Sequence, residues 1–329
     1  MLIKLKLGRL AFLFIGIAAL GCSPGSVSAE ETSDHALVFH GTAHDMLYDV
    51  TFDGKNGLAV GNFGLIVETA DGGATWSVED GVPTELALLA VVRSGNHCIA
   101  AGQAGTVLVS SDCKHWTLGH LTGDPRILNM ALMPNGTAYA VGGFGTVLKS
   151  TDWGQTWTAI TIDWSKITED GAQPHLYRIH AADNGGLTIV GEFGLVLTSA
   201  DAGATWTVRH KGTDSLFGLA IAPSGDIYVA GQEGVMMKSH DQGATWMDLN
   251  SGTKTVLTSI IVLPDGRLVA SGIHTVLYSS DSGNSWRADT TNRVKLSWDQ
   301  ELAYGGEVSG HPNVLVVGSD ATIASIPIQ

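Results

Sequence analysis

The sequence predicts an all-β protein, a seven-bladed β-propeller of four-stranded antiparallel blades, from its composition and from two recurring positions. Glycine supplies 42 of the 329 residues and only 15% of the residues are charged, which is too glycine-rich for a helical protein and too apolar for a disordered one. A tryptophan returns with a period of about 40 residues, the length of one propeller blade. The recurring tryptophans are Trp76, Trp116, Trp157, Trp206, Trp246 and Trp286, and the recurring glycines that precede them, with a seventh equivalent, are Gly61, Gly102, Gly142, Gly191, Gly231, Gly272 and Gly318.

Each repeat shows the same order of short elements. In the fifth repeat the apolar runs LFGLAIA, IYVAG and GVMMKS are separated by PSGD and by the two-residue tip QE. Short apolar runs with Gly, Pro and Asp between them predict a meander of strands. The runs barely alternate in polarity because neighbouring blades cover both faces of each sheet. We therefore assign residues 36–329 to one propeller domain.

The tryptophan closes an Asp-box, Ser/Thr-x-Asp-x-Gly-x-Thr-Trp, which is complete in SADAGATW at 199–206. The aspartate is expected to accept hydrogen bonds from its own turn, the glycine to take a positive φ, and the tryptophan to fill the wedge between blades. The copy at 110–116, SSDCKHW, is one residue short and lacks the glycine, so an irregular turn is expected there. Six near-identical carboxylates around a ring indicate structural roles. These are Asp71, Asp112, Asp152, Asp201, Asp241 and Asp281.

The seventh repeat stops before an Asp-box and lacks an outer strand. An open ring would expose two sheet edges. We therefore expect the N-terminal segment Ala36 to His40 to supply the missing strand and close the last blade.

The N-terminus has the pattern of an export signal. Three basic residues precede the apolar stretch 11–20, which is too short to span a bilayer. Residues 1–21 are predicted to be a lipoprotein-like signal peptide with lipidation at Cys22, followed by a linker over 22–35. Cleavage after Ala29 and a retained membrane anchor are the alternatives. The propeller is thus expected outside the cytoplasm, on the periplasmic or lumenal side, anchored to the membrane by lipid.

Two cysteines remain inside the domain, Cys98 and Cys113. An oxidising compartment permits a disulfide between them. Two buried unpaired thiols are the alternative.

The formal net charge of −14 disfavours nucleic-acid binding, because an acidic surface repels phosphate. The histidines and cysteines show no metal-ligand spacing, and the Gly-x-x-Gly pairs are hairpin tips with no helix after them. We predict no metal, no cofactor and a monomeric domain.

The segment YDVTFDGKNGLAVGNFGLIVETADGGATW at 48–76 resembles the photosystem II assembly and stability factors, including their relatives in non-photosynthetic bacteria. The resemblance extends over residues 36–328. It implies a non-enzymatic extracytoplasmic scaffold that binds membrane-protein subunits or assembly intermediates, with a lipoprotein leader as in cyanobacterial members.

Asp-boxes also resemble the repeats of sialidases, so a glycan-binding or glycoside-hydrolysing propeller is the alternative. Tyr177-Arg178-Ile179-His180 is one residue from the sialidase Phe/Tyr-Arg-Ile-Pro motif but lies in the wrong blade. A sialidase needs three converging arginines and a Tyr/Glu pair. Arg93, Arg126 and Arg209 do not repeat that pattern, and we place Arg178 on a first strand near the channel.

Candidate partner contacts lie on the face that carries the tips between second and third strands and the blade-to-blade loops, here called the top face. Aromatic and acidic side chains occur at the tips, and two loops that break the period, 158–175 and 287–301, each add a tryptophan. Such loops are often binding surfaces. The alternatives are that the phenylalanines pack on the next blade and that the loops are caps over their own tryptophans. The candidates are Phe63, Phe144, Phe193, Glu192, Glu233, Trp164, Trp298 and Arg178.

Overall fold

The computed structural model describes residues 36–291, 294, 297–308 and 310–328. The predicted signal peptide, Cys22 and the linker 22–35 lie outside this part of the chain. Within it, no helix has the length and apolar character needed to cross a membrane.

The described chain forms seven four-stranded antiparallel sheets, as the repeats predict. Within a sheet the strands follow one another from the central channel outwards. Blade 1 contains β2 (Leu47–Asp53), β3 (Asn56–Gly61), β4 (Ile66–Thr69) and β5 (Ser77–Val78). Blade 2 contains β6 (Leu88–Ser94), β7 (His97–Gly102), β8 (Thr106–Ser110) and β9 (Thr117–His120). Blade 3 contains β10 (Ile127–Leu132), β11 (Ala138–Gly142), β12 (Val147–Ser150) and β13 (Thr158–Ala159).

Blades 4 to 6 repeat this order. They contain β14 (Leu176–Ala181), β15 (Leu187–Gly191), β16 (Val196–Ser199) and β17 (Thr207–His210); β18 (Leu216–Ile221), β19 (Ile227–Gly231), β20 (Met236–Ser239) and β21 (Met247–Asp248); and β22 (Leu257–Val262), β23 (Leu268–Gly272), β24 (Thr275–Ser279) and β25 (Arg287–Ala288). Short 3-10 turns occupy Asn62–Gly64, Trp164–Lys166, Glu169–Gly171 and Gln232–Gly234.

The ring closes through the N-terminal strand. Blade 7 consists of β26 (Asp299–Val308), β27 (His311–Gly318), β28 (Ile323–Pro327) and, outermost, β1 (Ala36–Phe39). β1 pairs antiparallel with β28, with Leu37 opposite Ala324 and Phe39 opposite Ile323. The predicted closure is confirmed, and it joins the two ends of the propeller domain by backbone hydrogen bonds.

The core is divided among the interfaces between blades. Each cluster of buried apolar side chains draws on two neighbouring blades, as where Tyr139 of blade 3 meets Ile189 of blade 4. The Asp-box tryptophan packs at the edge of such a cluster, as Trp157 does against blades 2 and 3. Because both faces of a blade are covered, its second strand is largely buried and mainly apolar, which explains the continuous runs in the sequence.

The Asp-boxes have the predicted geometry. Asp201 accepts hydrogen bonds from the Thr205 amide at 2.8 Å and hydroxyl at 2.6 Å, and these bonds lower its pKa to about 2. Gly203 has φ +92, where a side chain would be strained, and its amide donates to the Ser199 hydroxyl at 2.9 Å. A carboxylate engaged in its own turn is structural.

The second Asp-box is irregular, as its shortened sequence predicts. Asp112 accepts hydrogen bonds from the amides of Lys114 at 2.9 Å and His115 at 2.8 Å, within a turn one residue tighter than in the other copies. Cys113 stands at the tip of this turn with φ +58. A disulfide joins it to Cys98 on β7, with 5.2 Å between the Cα atoms.

This disulfide cross-links the irregular turn to β7, so removing it should destabilise the protein. Both cysteines are buried and lie 15 residues apart, a loop for which a cross-link contributes about 3 kcal/mol. The double variant Cys98→Ala, Cys113→Ala should lose about that much free energy of unfolding in urea. Wild-type protein unfolded under reducing conditions should match the variant; equal stability of the oxidised wild type and the variant would show that the bridge is dispensable.

Candidate binding site at the mouth of the central channel

The hairpin tips between second and third strands contact the blade-to-blade loops, which defines the top face in the structure. The Gly64 amide of the first tip donates to the Leu86 carbonyl at 3.1 Å, and the Gly145 amide of the third donates to the Pro174 carbonyl at 2.7 Å. These bonds fix each tip to the loop that leads to the next blade.

All seven tips share one unusual backbone feature, a left-handed second residue that is not glycine. The left-handed backbone turns the side chain of this residue out of the hairpin. Three of the seven residues are phenylalanines. Phe63, Phe144 and Phe193 are 68%, 75% and 44% exposed, so much of each ring faces solvent. The seven residues are Phe63, Ala104, Phe144, Phe193, Glu233, His274 and Asp320.

The two tryptophans of the period-breaking loops differ in burial. Trp164 is only 7% exposed and packs between Tyr139 of blade 3 and Leu195 of blade 4. Its side chain therefore belongs to the cap that its loop forms, which is the alternative left open by the sequence, and a partner contact at Trp164 stays a prediction. Trp298 is 49% exposed and lines the mouth of the channel.

The acidic candidates at the tips also differ. Glu192 accepts a hydrogen bond from the His175 amide at 2.7 Å, so it holds a blade-to-blade loop in place. Glu233 is exposed at the tip of blade 5 and remains available for contact.

Every innermost strand carries a β-bulge at the same position, which shapes the channel. In each, the pairing shifts between the first and third residues, as between Leu47 and Asp49 and between Leu176 and Arg178. A bulge re-aims the side chains beside it. The second residues are Tyr48, Leu89, Leu128, Tyr177, Phe217, Thr258 and Gln300, all at the mouth. The third residues, here called the channel belt, are Asp49, Ala90, Asn129, Arg178, Gly218, Ser259 and Glu301.

Polar side chains of the channel belt bind backbone amides of another blade. Asp49 accepts from the Val91 amide at 2.8 Å, Asn129 from the Ile179 amide at 3.1 Å, and Ser259 from the Leu302 amide at 3.3 Å. Each bond runs to the fourth residue of the following innermost strand. The belt thus satisfies backbone donors along the free inner edges of the sheets.

Arg178 crosses the channel from blade 4 to form an ion pair with Glu301 of blade 7. Its Nε also donates to the Phe217 carbonyl at 3.4 Å, and the Ser259 hydroxyl donates to the second oxygen of Glu301 at 2.8 Å. The predicted position of Arg178 near the channel is correct. Its guanidinium is engaged within the protein, and its role as a partner contact stays a prediction.

A second carboxylate, Asp49, completes a buried cluster with Arg178 and Glu301. Burial and then the charge of Glu301 raise the pKa of Asp49 to about 7, against the effect of Arg178. Burial by itself lowers the pKa of Arg178. The negative charges of Glu301 and then Asp49 outweigh burial and hold this pKa above its ordinary value. The sequence analysis did not identify Asp49 or Glu301 as site residues. Aligning the seven innermost strands could have found them, because both occupy the third position of their strand.

Above the channel belt lies a cavity of about 350 Å³ with mainly apolar walls. Aromatic rings lead into it from blade 3: Phe144 contacts His175 at 4.9 Å between ring centres, and Tyr177 contacts Phe217 at 4.6 Å. Arg126 lies in the wall on the blade 3 side. Burial and then Glu192 raise the pKa of Tyr177 to about 12, so it is a neutral wall residue at physiological pH.

The described residues contain no group of three or more His, Cys, Asp or Glu placed to hold a metal ion. Among them, Arg126 and Arg178 are the arginines that line the mouth. Arg209 lies on the outer strand β17 and donates to the Thr198 hydroxyl at 2.8 Å. The converging triad of a sialidase is not formed by these residues.

Residues 32–159 match a family model described as photosynthesis system II assembly factor YCF48. The photosystem II assembly lipoprotein Ycf48 of Synechococcus sp. (strain CC9902) is 28% identical over 178 residues, 51% of this chain and 53% of the relative. Over this part of its length the chain is similar to the photosystem II assembly factors. The lipoprotein of the same name from Prochlorococcus marinus (strain NATL2A) is 41% identical to this propeller over 75 residues, 22% of each chain. The match thus spans about half the length of the first relative and less of the second.

Solved structures share the fold of this propeller. YCF48 bound to a D1 peptide has a TM-score of 0.71 at 18% identity, covering 90% of this chain and 97% of the other. YCF48 from Cyanidioschyzon merolae has the same TM-score and identity, with coverage of 89% and 98%. The GH74 xyloglucanase from Xanthomonas campestris also reaches 0.71 at 15% identity, covering 90% of this chain and 54% of its own. At these identities the likeness concerns the fold alone.

Proposed function

We propose that this propeller is a non-enzymatic extracytoplasmic scaffold whose top face binds a membrane-protein subunit or assembly intermediate. The observation that carries the proposal is the set of exposed aromatic side chains on the top face, namely Phe63, Phe144 and Phe193 at the hairpin tips and Trp298 at the channel mouth. Aromatic residues held in place by the backbone lose little entropy on binding and are enriched at protein interfaces.

The relatives support this proposal through their names. Two are called photosystem II assembly lipoproteins, and one structural neighbour is described as bound to a D1 peptide. By analogy, we propose that this chain is exported, anchored through a lipid on Cys22, and binds a subunit of a membrane complex such as a photosystem. Cleavage after Ala29 would instead give a soluble form.

The absence of enzymatic activity is part of the proposal. In the channel mouth Glu301 is paired with Arg178 and Asp49 accepts two backbone amides, so these carboxylates are held by the protein. The competing function is glycan binding or hydrolysis, as in the xyloglucanase that shares the fold. Hydrolysis of a sialoside or xyloglucan by the purified protein would favour it.

The proposal can be tested by affinity capture from detergent-solubilised membranes of the host, with partners identified by mass spectrometry. Replacing Phe144, Phe193 and Trp298 together by serine should reduce capture of a membrane-protein subunit at least tenfold, because a few aromatic anchors dominate most interfaces. The matched control is Leu118→Ser on the outer strand β9, which removes an equally exposed apolar side chain (51%). Unchanged thermal melting must accompany the loss. Undiminished capture by the triple variant would show that the partner binds a different surface.

A further inference from the structure

We propose that the channel mouth receives a basic side chain, lysine or arginine, from an otherwise apolar segment of the partner. This inference rests on the proposed function and specifies the chemistry of the partner. The site is the cavity above the channel belt, and its occupant is a single lysine or arginine side chain.

The floor of this cavity carries more acid than base. Asp49 and Glu301 face it from blades 1 and 7, and Arg178 is the basic group between them. Arg178 is already committed to Glu301 and to the Phe217 carbonyl. Asp49 is held by the amides of Val50 and Val91, which leaves its charge without a full counter-ion when it is ionised. A cation that enters the mouth supplies one.

The walls suit the rest of such a side chain. Tyr48, Tyr177, Phe217 and Trp298 present aromatic surface to the cavity. Ring faces attract ammonium and guanidinium groups, and the methylene stem of lysine or arginine packs well against apolar surface. The volume of about 350 Å³ lies at the lower end for ligand sites and is suited to one side chain rather than a folded element.

The distribution of charge around the mouth sets the direction of entry. Arg126 lies in the wall where the chain enters blade 3, whereas Asp49 and Glu301 belong to the neighbouring blades 1 and 7. A basic side chain is therefore drawn towards blades 1 and 7. The tips around the mouth add Glu192, Glu233 and Asp320, and an acidic rim accelerates the approach of a basic segment.

The test uses end-capped fluorescent peptides of the form Ser-Leu-Val-X-Val-Leu-Ser, in which X is lysine, arginine, norleucine or glutamate. Fluorescence anisotropy at pH 8 should show the lysine and arginine peptides binding wild-type protein about tenfold more tightly than the norleucine peptide, and the glutamate peptide weakest. Asp49→Asn should abolish that preference. The matched control Asp248→Asn makes the same change at an exposed carboxylate on the outer strand β21, away from the mouth, and should keep it.

The pH dependence provides a second readout. Affinity for the lysine peptide should rise between pH 6 and pH 8 in the wild type, because Asp49 ionises in this range, and this rise should vanish in Asp49→Asn. Glu301, Arg178, Arg126 and His175, which lies behind Tyr177, are present in both proteins, so a difference between the two pH profiles belongs to Asp49. Equal affinity for lysine and norleucine peptides, or an unchanged preference in Asp49→Asn, would refute the inference. The scaffold function is tested separately, by the capture experiment. If the wild type captures a membrane protein and the triple aromatic variant does not, the scaffold function stands even when the peptides refute the inference.

Discussion

Replacing Arg178 by methionine is expected to lower the free energy of unfolding by about 3–5 kcal/mol, the usual cost of removing one partner from a buried ion pair. The side chains of Arg178 and Glu301 are 19% and 7% exposed, so removing the guanidinium leaves the largely buried Glu301 carboxylate without its cation. Asp49 loses its nearby cation as well. The effect should be visible as a shift of the urea midpoint with little change in slope.

Two further variants distinguish the loss of the buried ion pair from the loss of any arginine beside this cavity. Arg126→Met removes an arginine from the rim of the same cavity and should change stability by no more than about 0.5 kcal/mol. Adding Glu301→Gln to Arg178→Met should recover part of the loss, because the amide can still accept from the Ser259 hydroxyl without carrying a buried charge. A loss below about 1 kcal/mol for Arg178→Met would mean that the ion pair contributes little to the fold.

Asp49→Asn is expected to change how stability depends on pH. The pKa of Asp49 is about 7 in the folded protein and about 3.9 in an unfolded chain. A raised carboxyl pKa favours the folded state at low pH, and this contribution is lost as the pH rises from about 4 through 7. The wild type should therefore lose up to about 4 kcal/mol relative to the variant over this range, at ~1.4 kcal/mol per pKa unit.

The measurement is the difference in free energy of unfolding between variant and wild type from pH 4 to pH 8. Taking the difference removes the contributions of the other carboxylates, including the Asp-box residues with lowered pKa values such as Asp201. The asparagine can satisfy only one of the two amides that Asp49 binds, which adds an offset independent of pH. A difference that stays constant across the range would show that Asp49 is ionised normally in the folded protein.

Features of this propeller that depend on short stretches of chain could be predicted from the sequence. An Asp-box forms its hydrogen bonds within eight residues, so SADAGATW indicates the turn of Asp201 without knowledge of any other blade. Counting repeats also predicted the closure by β1, because an unpaired outer edge had one remaining segment to pair with.

The channel cluster could not be predicted in this way. Asp49 and Val91 are 42 residues apart, and Arg178 and Glu301 are 123 apart. They meet because seven bulged strands converge on one axis after the ring has closed. Trp164 and Trp298 show the same limit: both are extra tryptophans in period-breaking loops, yet one is buried beneath its loop and the other lines the mouth.

The sequence by itself determined the blade, its Asp-box turn, the number of blades and the strand that closes the ring, because each of these depends on local hydrogen bonding and on a repeated pattern of burial. The tertiary structure alone decided which side chains share the channel, which aromatic rings face solvent and which carboxylate has a raised pKa. Those properties depend on distances between blades, and a repeating sequence specifies each blade without specifying what lies across the ring from it.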